Sequence, residues 1–189
     1  SQMRKADEAA TREYKIPSIL LMEHAAYQVF SYIQEYEKEK DVVIVCGPGN
    51  NGGDGLALAR QLVSFSKRDV KVVMLCSKEK LTEDGKCYYD ICQNMGIDIL
   101  HMMEDNKGVA LENIEKASVL VDAVFGTGLS RAVEGRFKEV IEAINRGHQK
   151  VISIDIPSGL DGLTGKVQGG CVEADVTITF VRPKLGLYL

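Results

Sequence analysis

What the chain lacks narrows its partners first. It has no excess of basic charge: 23 lysines and arginines face 27 aspartates and glutamates, a net charge of -4. An acidic balance with no basic cluster argues against nucleic acid or an anionic membrane surface as the main partner. Nowhere do about 18 apolar residues run together, so the sequence offers no transmembrane helix. The polar opening Ser1-Gln2-Met3-Arg4-Lys5-Ala6-Asp7-Glu8 lacks the apolar stretch of a signal peptide. His24, His101 and His148 lie far apart and show no ligand spacing, which speaks against a zinc site. The five cysteines, Cys46, Cys76, Cys87, Cys92 and Cys171, are odd in number and form no CxxC pair. That pattern fits reduced thiols and a cytoplasmic location. Cys46 and Cys76 each end an apolar run and read as small core residues. There is no internal repeat, linker or low-complexity run.

What is present describes one domain over residues 1–189, long enough to bury a real core. Hydrophobic residues make up 45% and charged residues 26%, ordinary for a globular protein. The stretch Val42-Val43-Ile44-Val45-Cys46-Gly47-Pro48-Gly49-Asn50-Asn51-Gly52-Gly53-Asp54-Gly55 organises the rest. It reads as a strand covered on both faces, a glycine-rich turn, and the start of a helix. So much glycine at such a junction usually lets a ligand approach the backbone closely.

The remaining elements alternate. A short polar helix is expected over 3–14 and an amphipathic helix from Ser18, a candidate N-cap, to about Glu39. Strands are expected at 41–46, 70–76, 97–100, 118–125, 150–155 and 174–181. Helices are expected at about 53–67, 82–95 with Thr82 as cap, 109–116 and 136–146. This alternation implies an α/β fold with a parallel sheet and helices on both faces. In the doubly wound order 3-2-1-4-5, the loops 47–54, 126–135 and 155–162 would meet above one crevice.

Those loops are not a plain phosphate cradle. Gly47-Pro48-Gly49-Asn50-Asn51-Gly52 satisfies G-x-G-x-x-G, but a lone match is weak, and no Lys-Ser/Thr pair follows to make a Walker loop. Asp54 near the helix start would repel a pyrophosphate there, and equally would cap the helix. Gly126-Thr127-Gly128 fails the fingerprint because Arg131 occupies the third glycine position. Asn50, Asn51, Asp122 and Ser158 instead offer oxygen ligands with few charges, which suits a hard cation of low charge. Taken singly, Asp54 is a cap, Asp122 a partner for loop backbone, and Pro157-Ser158-Gly159 a turn. All stand at carboxyl ends of predicted strands, and together they point to a site. Asp155 is the sharpest candidate: it interrupts an apolar strand at that end, where a desolvated carboxylate can act as acid or base. Lys184 reads either as a contact to an anionic ligand or as a solvated cation.

Asn50-Asn51-Gly52-Gly53-Asp54-Gly55, Asp122-Ala123-Val124-Phe125-Gly126-Thr127-Gly128-Leu129 and Asp155-Ile156-Pro157-Ser158-Gly159-Leu160-Asp161 together resemble the NAD(P)HX epimerase family, the YjeF N-terminal domain. Pro17-Ser18 with Leu21-Met22-Glu23, and Pro183-Lys184-Leu185-Gly186-Leu187, resemble that family's ends. One departure is Val181-Arg182, where the family pattern has a glycine beside the phenylalanine. The resemblance implies a Rossmann-like three-layer αβα sandwich that interconverts the R and S forms of hydrated NADH and NADPH at C6. It implies that Asn50, Asn51, Gly52, Gly53, Asp54, Gly126, Thr127, Gly128, Leu129, Ser130, Arg131 and Ala132 line the nucleotide site, with Asp155 on the substrate. It further implies one potassium ion per subunit, held by Asn51, Asp122 and Ser158, and a homodimer. A partner dehydratase would act on the S form, fused behind this domain in many bacteria. The apolar ending Leu187-Tyr188-Leu189 suits a domain taken from such a chain. A non-catalytic nucleotide- or protein-binding scaffold of the same fold is the alternative. An ordinary NAD-dependent dehydrogenase is a third reading, weakened by the poor fingerprint.

Overall fold

Among the described residues six parallel strands carry the fold, and their apolar runs explain why. A computed structural model describes residues 10–102, 105–129, 132–180 and 184–188. In order the elements are α1 (Ser18–Tyr36), β1 (Asp41–Cys46), α2 (Asn50–Phe65), β2 (Asp69–Met74), α3 (Glu83–Asn94), β3 (Asp98–His101), α4 (Lys107–Lys116), β4 (Val119–Ala123), α5 (Gly135–Arg146), β5 (Lys150–Ile154) and β6 (Val176–Ile178). The sheet order is β3-β2-β1-β4-β5-β6, with every pairing parallel. The reversal between β1 and β4 is the switch point above which doubly wound folds bind ligands.

Side chains alternate across the sheet, and the core divides accordingly. Val42, Ile44 and Cys46 of β1, with Val119, Val121 and Ala123 of β4, face α1, α2 and α3. Val43, Val45 and Leu120 face α4 and α5. That makes the three layers that alternation implied. In α1, Met22, Ala26, Val29 and Ile33 form the buried stripe, while Leu20, Tyr27 and Tyr36 are exposed.

Glu23, next along from Met22, ties three helices together. Its carboxylate accepts hydrogen bonds from Arg60, from Gln61 Nε2 at 2.8 Å and from the Tyr88 hydroxyl at 2.6 Å. Burial pushes this carboxyl up, but those bonds and the Arg60 charge outweigh it and hold it below the ordinary value.

Several expected boundaries move, for physical reasons. Ser18 is not the N-cap of α1; Pro17 takes that position with an extended ψ of 137° and no side-chain cap. A proline suits a helix entrance because its missing N–H has no intrahelical acceptor there. α1 ends at Tyr36, before Glu39. Thr82 does cap α3, accepting from the Gly85 amide at 3.2 Å. Of the helix expected over 3–14, residues 10–12 are helical and 1–9 lie outside the described residues. β6 spans three residues, well short of 174–181. The backbone beyond it turns toward Asp155 and Lys184 instead of continuing the ladder. The departure at Val181-Arg182 lies outside the described residues.

Candidate active site

The first wall of the site is the start of α2. This helix begins at Asn50, three residues before the apolar spacing predicts, so Asn50, Asn51, Gly52 and Gly53 are helical. Asp54 therefore lies beyond the first turn, and Gly49 holds the N-cap without a side-chain bond. Most glycines here serve backbone packing. A Cβ on Gly52 would overlap the Gly47 carbonyl oxygen, and one on Gly47 would overlap that of Val124. A Cβ on Gly53 would stand 2.6 Å from Met22 Cε. Only Gly49 and, in the loop after β4, Gly128 face open space within 4 Å among the site glycines. The expectation of close ligand approach thus narrows from the whole loop to its tip.

The second wall is a buried polar cluster where α-helical layers and sheet ends meet. Asp122 pairs in register with Val45 on one side and Ser153 on the other. It is fully buried. Its Oδ1 accepts from the Val124 amide at 3.2 Å and the Ser158 hydroxyl at 2.5 Å. Its Oδ2 accepts from the Ser153 hydroxyl at 2.7 Å and the Ser158 amide at 2.8 Å. Burial raises the Asp122 carboxyl above its ordinary range, against the pull of these bonds. Ser158 Oγ also accepts from the Phe125 amide at 2.8 Å and lies 3.2 Å from the Phe125 carbonyl oxygen. The loops after β4 and β5 are therefore locked through one hydroxyl. Asn51 is 5% exposed, and its Nδ2 has no hydrogen-bond partner among the described residues. Its amide lies against Gly126, about van der Waals distance from where a Cβ would sit, 3.8 Å.

The third wall carries Asp155. β5 ends at Ile154, so Asp155 is not a strand residue but the centre of a three-residue turn closed by the Ile156 amide on the Ile154 carbonyl at 2.8 Å. Its φ of 69° is left-handed, a conformation that costs a non-glycine residue on the order of 1–3 kcal/mol and clusters at functional sites. Asp155 is 6% exposed, and its carboxylate pairs with Lys184, itself 8% exposed. Lys184 is thus neither solvated nor turned outward. Nearby, Asp161 is a turn residue: the Thr164 and Leu163 amides bond its Oδ1 and hold its carboxyl below the usual range.

The structure brings the walls together by direct neighbours. Asn51 meets Gly126; Phe125 meets Ser158; Thr127, Ile156 and Lys184 all come within 3.5 Å of a Cβ built on Gly162. Leu129 packs into the core on the α4 and α5 face. Ala132 is exposed beside Gly169. Ser130 and Arg131 lie outside the described residues. Sequence reasoning passed over Ser153, although a serine between Ile152 and Ile154 in an apolar strand was a usable signal. Thr179, which accepts from Lys184 at 2.7 Å, carried no such signal. A cleft lined by Asp41, Lys71, Glu112, Asn113 and Lys116 lies near the amino ends of β1 and β2. Its charges are already engaged, Lys116 with Glu112 and Asp41 with the Ser118 amide. Among the described residues no three His, Cys, Asp or Glu side chains cluster as a metal site. No helix among them is long and apolar enough to cross a membrane.

The sequence matches the family described as YjeF-related protein N-terminus over residues 18–186. The bifunctional NAD(P)H-hydrate repair enzyme Nnr of Moorella thermoacetica is 39% identical over 192 residues, which cover 99% of this chain and 36% of that protein. The NAD(P)H-hydrate epimerase of Anaerococcus prevotii is 39% identical over 187 residues, covering 98% of this chain and 85% of that one. The chain therefore spans about a third of the bifunctional relative's length, 36%, and most of the epimerase's, 85%. The crystal structure of yeast ynu0, YNL200c, superposes with a TM-score of 0.84 at 25% identity, over 99% of this chain and 81% of that one.

Proposed function

Because the chain belongs to the family of YjeF-related protein N-termini, we propose that it is an NAD(P)H-hydrate epimerase, interconverting the R and S forms of hydrated NADH or NADPH at C6. One observation carries the reading: a buried carboxylate, Asp155, is held in a strained turn where three sheet-end loops converge. Such an arrangement favours acid–base chemistry over simple binding. The names of relatives that match nearly the whole chain support it.

The chemistry needs few groups. C6 of the hydrate bears a hydroxyl and is bonded to the ring nitrogen N1. In its protonated form Asp155 delivers a proton to that hydroxyl, the N1 lone pair expels it as water, and a C6=N1 iminium is left. Water returning on either face scrambles the centre, and the proton it releases restores Asp155. Opening of the C6–N1 bond is the other route, and it uses the same proton carrier. Asn50, Asn51, Gly52, Gly53, Asp54 and the loop from Gly126 to Ala132 are assigned to the nucleotide. The outward tips Gly49 and Gly128 leave room there.

A potassium ion fits the donor set of Asn51, Asp122 and Ser158. These are oxygen donors with one carboxylate, and they are buried. The chemistry such a cation supplies is a fixed positive charge that offsets the buried Asp122. Potassium is expected to raise the melting temperature and the epimerisation rate over sodium or tetramethylammonium buffer. Identical melting curves and rates in all three would sink the assignment.

The reading extends to a homodimer, to a dehydratase partner acting on the S form, and to the cytoplasm. The five cysteines are free thiols, in keeping with a reducing compartment. Mixing the protein with hydrated NADH enriched in one epimer and following the epimer ratio tests the whole. Accelerated equilibration is expected; a ratio that drifts only at the uncatalysed rate would leave the scaffold alternative.

A further inference from the structure

We propose that Lys184 is a positioning residue for Asp155, one that occupies a single carboxylate oxygen and leaves the other free for proton transfer. The inference rests on the epimerase reading and adds a residue to its machinery.

An ammonium group has three protons and no acceptor. Lys184 Nζ donates to Asp155 Oδ1, to Thr179 Oγ1 at 2.7 Å and to the Phe180 carbonyl at 3.2 Å. All three protons are engaged, so none remains for a ligand. Lys184 therefore does not contact the nucleotide as a cation; its partner is the carboxylate. On the other side of the pair, Oδ1 also receives a long contact from the Phe180 amide at 3.5 Å. Oδ2 accepts no hydrogen bond among the described residues. Within a carboxylate that is almost wholly buried, one oxygen is anchored and the other is open.

The anchor is itself held from two directions. Thr179 and Phe180 directly follow β6, whose Ile178 carbonyl accepts the Asp155 amide at 2.8 Å. The Lys184 backbone is fixed by a short 3-10 turn, Leu185–Leu187, and the Gly186 amide bonds the Gly162 carbonyl at 3.1 Å. The lysine stem passes beside Gly162, with Cγ 3.5 Å from a Cβ built there. Orientation of the Asp155 oxygens thus depends on the segment after β6 and on both site loops. A lysine suits three acceptors in three directions; the planar fork of an arginine does not.

The test uses the full chain and hydrated NADH. Lys184→Met keeps the stem and removes the ammonium. The expected result is a kcat lower by about 10- to 100-fold, the scale of a misaligned catalytic group, with KM changed by less than about 3-fold. Lys184→Arg is expected not to restore the rate, and propylammonium is expected to restore part of it in Lys184→Ala. A Lys184→Met enzyme with wild-type kcat, or one altered in KM alone, overturns the proposal. If Lys184→Met does not fold, Thr179→Val removes one acceptor of the ammonium and gives the same readout: a kcat loss at constant KM supports the proposal, and unchanged kcat overturns it. Wild-type protein without epimerase activity overturns this proposal together with the reading beneath it. An active wild type with an active Lys184→Met overturns the positioning role alone.

Discussion

Asp155→Asn is expected to lower epimerisation by about 10²- to 10⁴-fold, the usual contribution of a positioned acid–base group, while the nucleotide still binds. Asparagine is the informative choice. It tolerates the left-handed φ of 69° seen at this residue, whereas alanine does not do so readily. Its amide oxygen still accepts from Lys184, so the buried ammonium keeps a hydrogen bond though not the opposite charge. Alanine would strip that partner away, and breaking a buried pair by removing one member costs about 3–5 kcal/mol. Asp155→Ala should therefore lose activity and the more stability, and Asp155→Asn a like share of activity with a smaller loss of stability. Single-turnover measurements with hydrated NADH and a binding titration separate the two quantities. Near-normal turnover in Asp155→Asn refutes the acid–base role.

Gly52→Ala is expected to destabilise the fold by about 3 kcal/mol or more, the upper range for overpacking against atoms that cannot move aside. The added methyl group would overlap the Gly47 carbonyl oxygen, and that carbonyl belongs to the turn joining β1 to α2. Relief requires α2 to lift off the sheet end, taking Asn50 and Asn51 with it. Gly49→Ala is the control, because a Cβ there meets nothing within 4 Å and the residue already has a φ of -87°. Thermal unfolding of the two variants side by side checks this. Equal melting temperatures would mean that the turn is looser than its packing implies.

Much of the framework was legible because it is written in short-range patterns. Val42 to Cys46 could be read as a strand buried on both faces, since a run without polar residues leaves no face for water. Once the alternation of strands and helices was clear, the sheet order placed Asn51, Asp122 and Asp155 near one crevice. The start of α2 was not legible. Asparagine and glycine are poor helix formers, and the contact that makes them helical, Gly52 against Gly47, is a matter of packing at the strand end. Asp155 was singled out from the sequence but read as the last strand residue; its turn depends on the Ile178 carbonyl of β6. The same holds for Lys184. Nothing local to Pro183-Lys184-Leu185 indicates a partner 29 positions earlier, so its burial emerges only from the fold.

The strained turn at Asp155 has a consequence for selection. The residue proposed to bear the reactive oxygen is also one at which the backbone stores unfavourable energy. A glycine there would relax the turn and discard the carboxylate in one step. Stability and turnover are set against each other here only through the pair, because Lys184 loses its buried partner when the aspartate goes, at about 3–5 kcal/mol. Pressure for heat resistance alone would therefore exchange Asp155 and Lys184 together, never the aspartate by itself. Sequences descended from an ancestor that no longer used the activity should lose both residues at once, while the glycines beneath α2 persist because folding itself requires them.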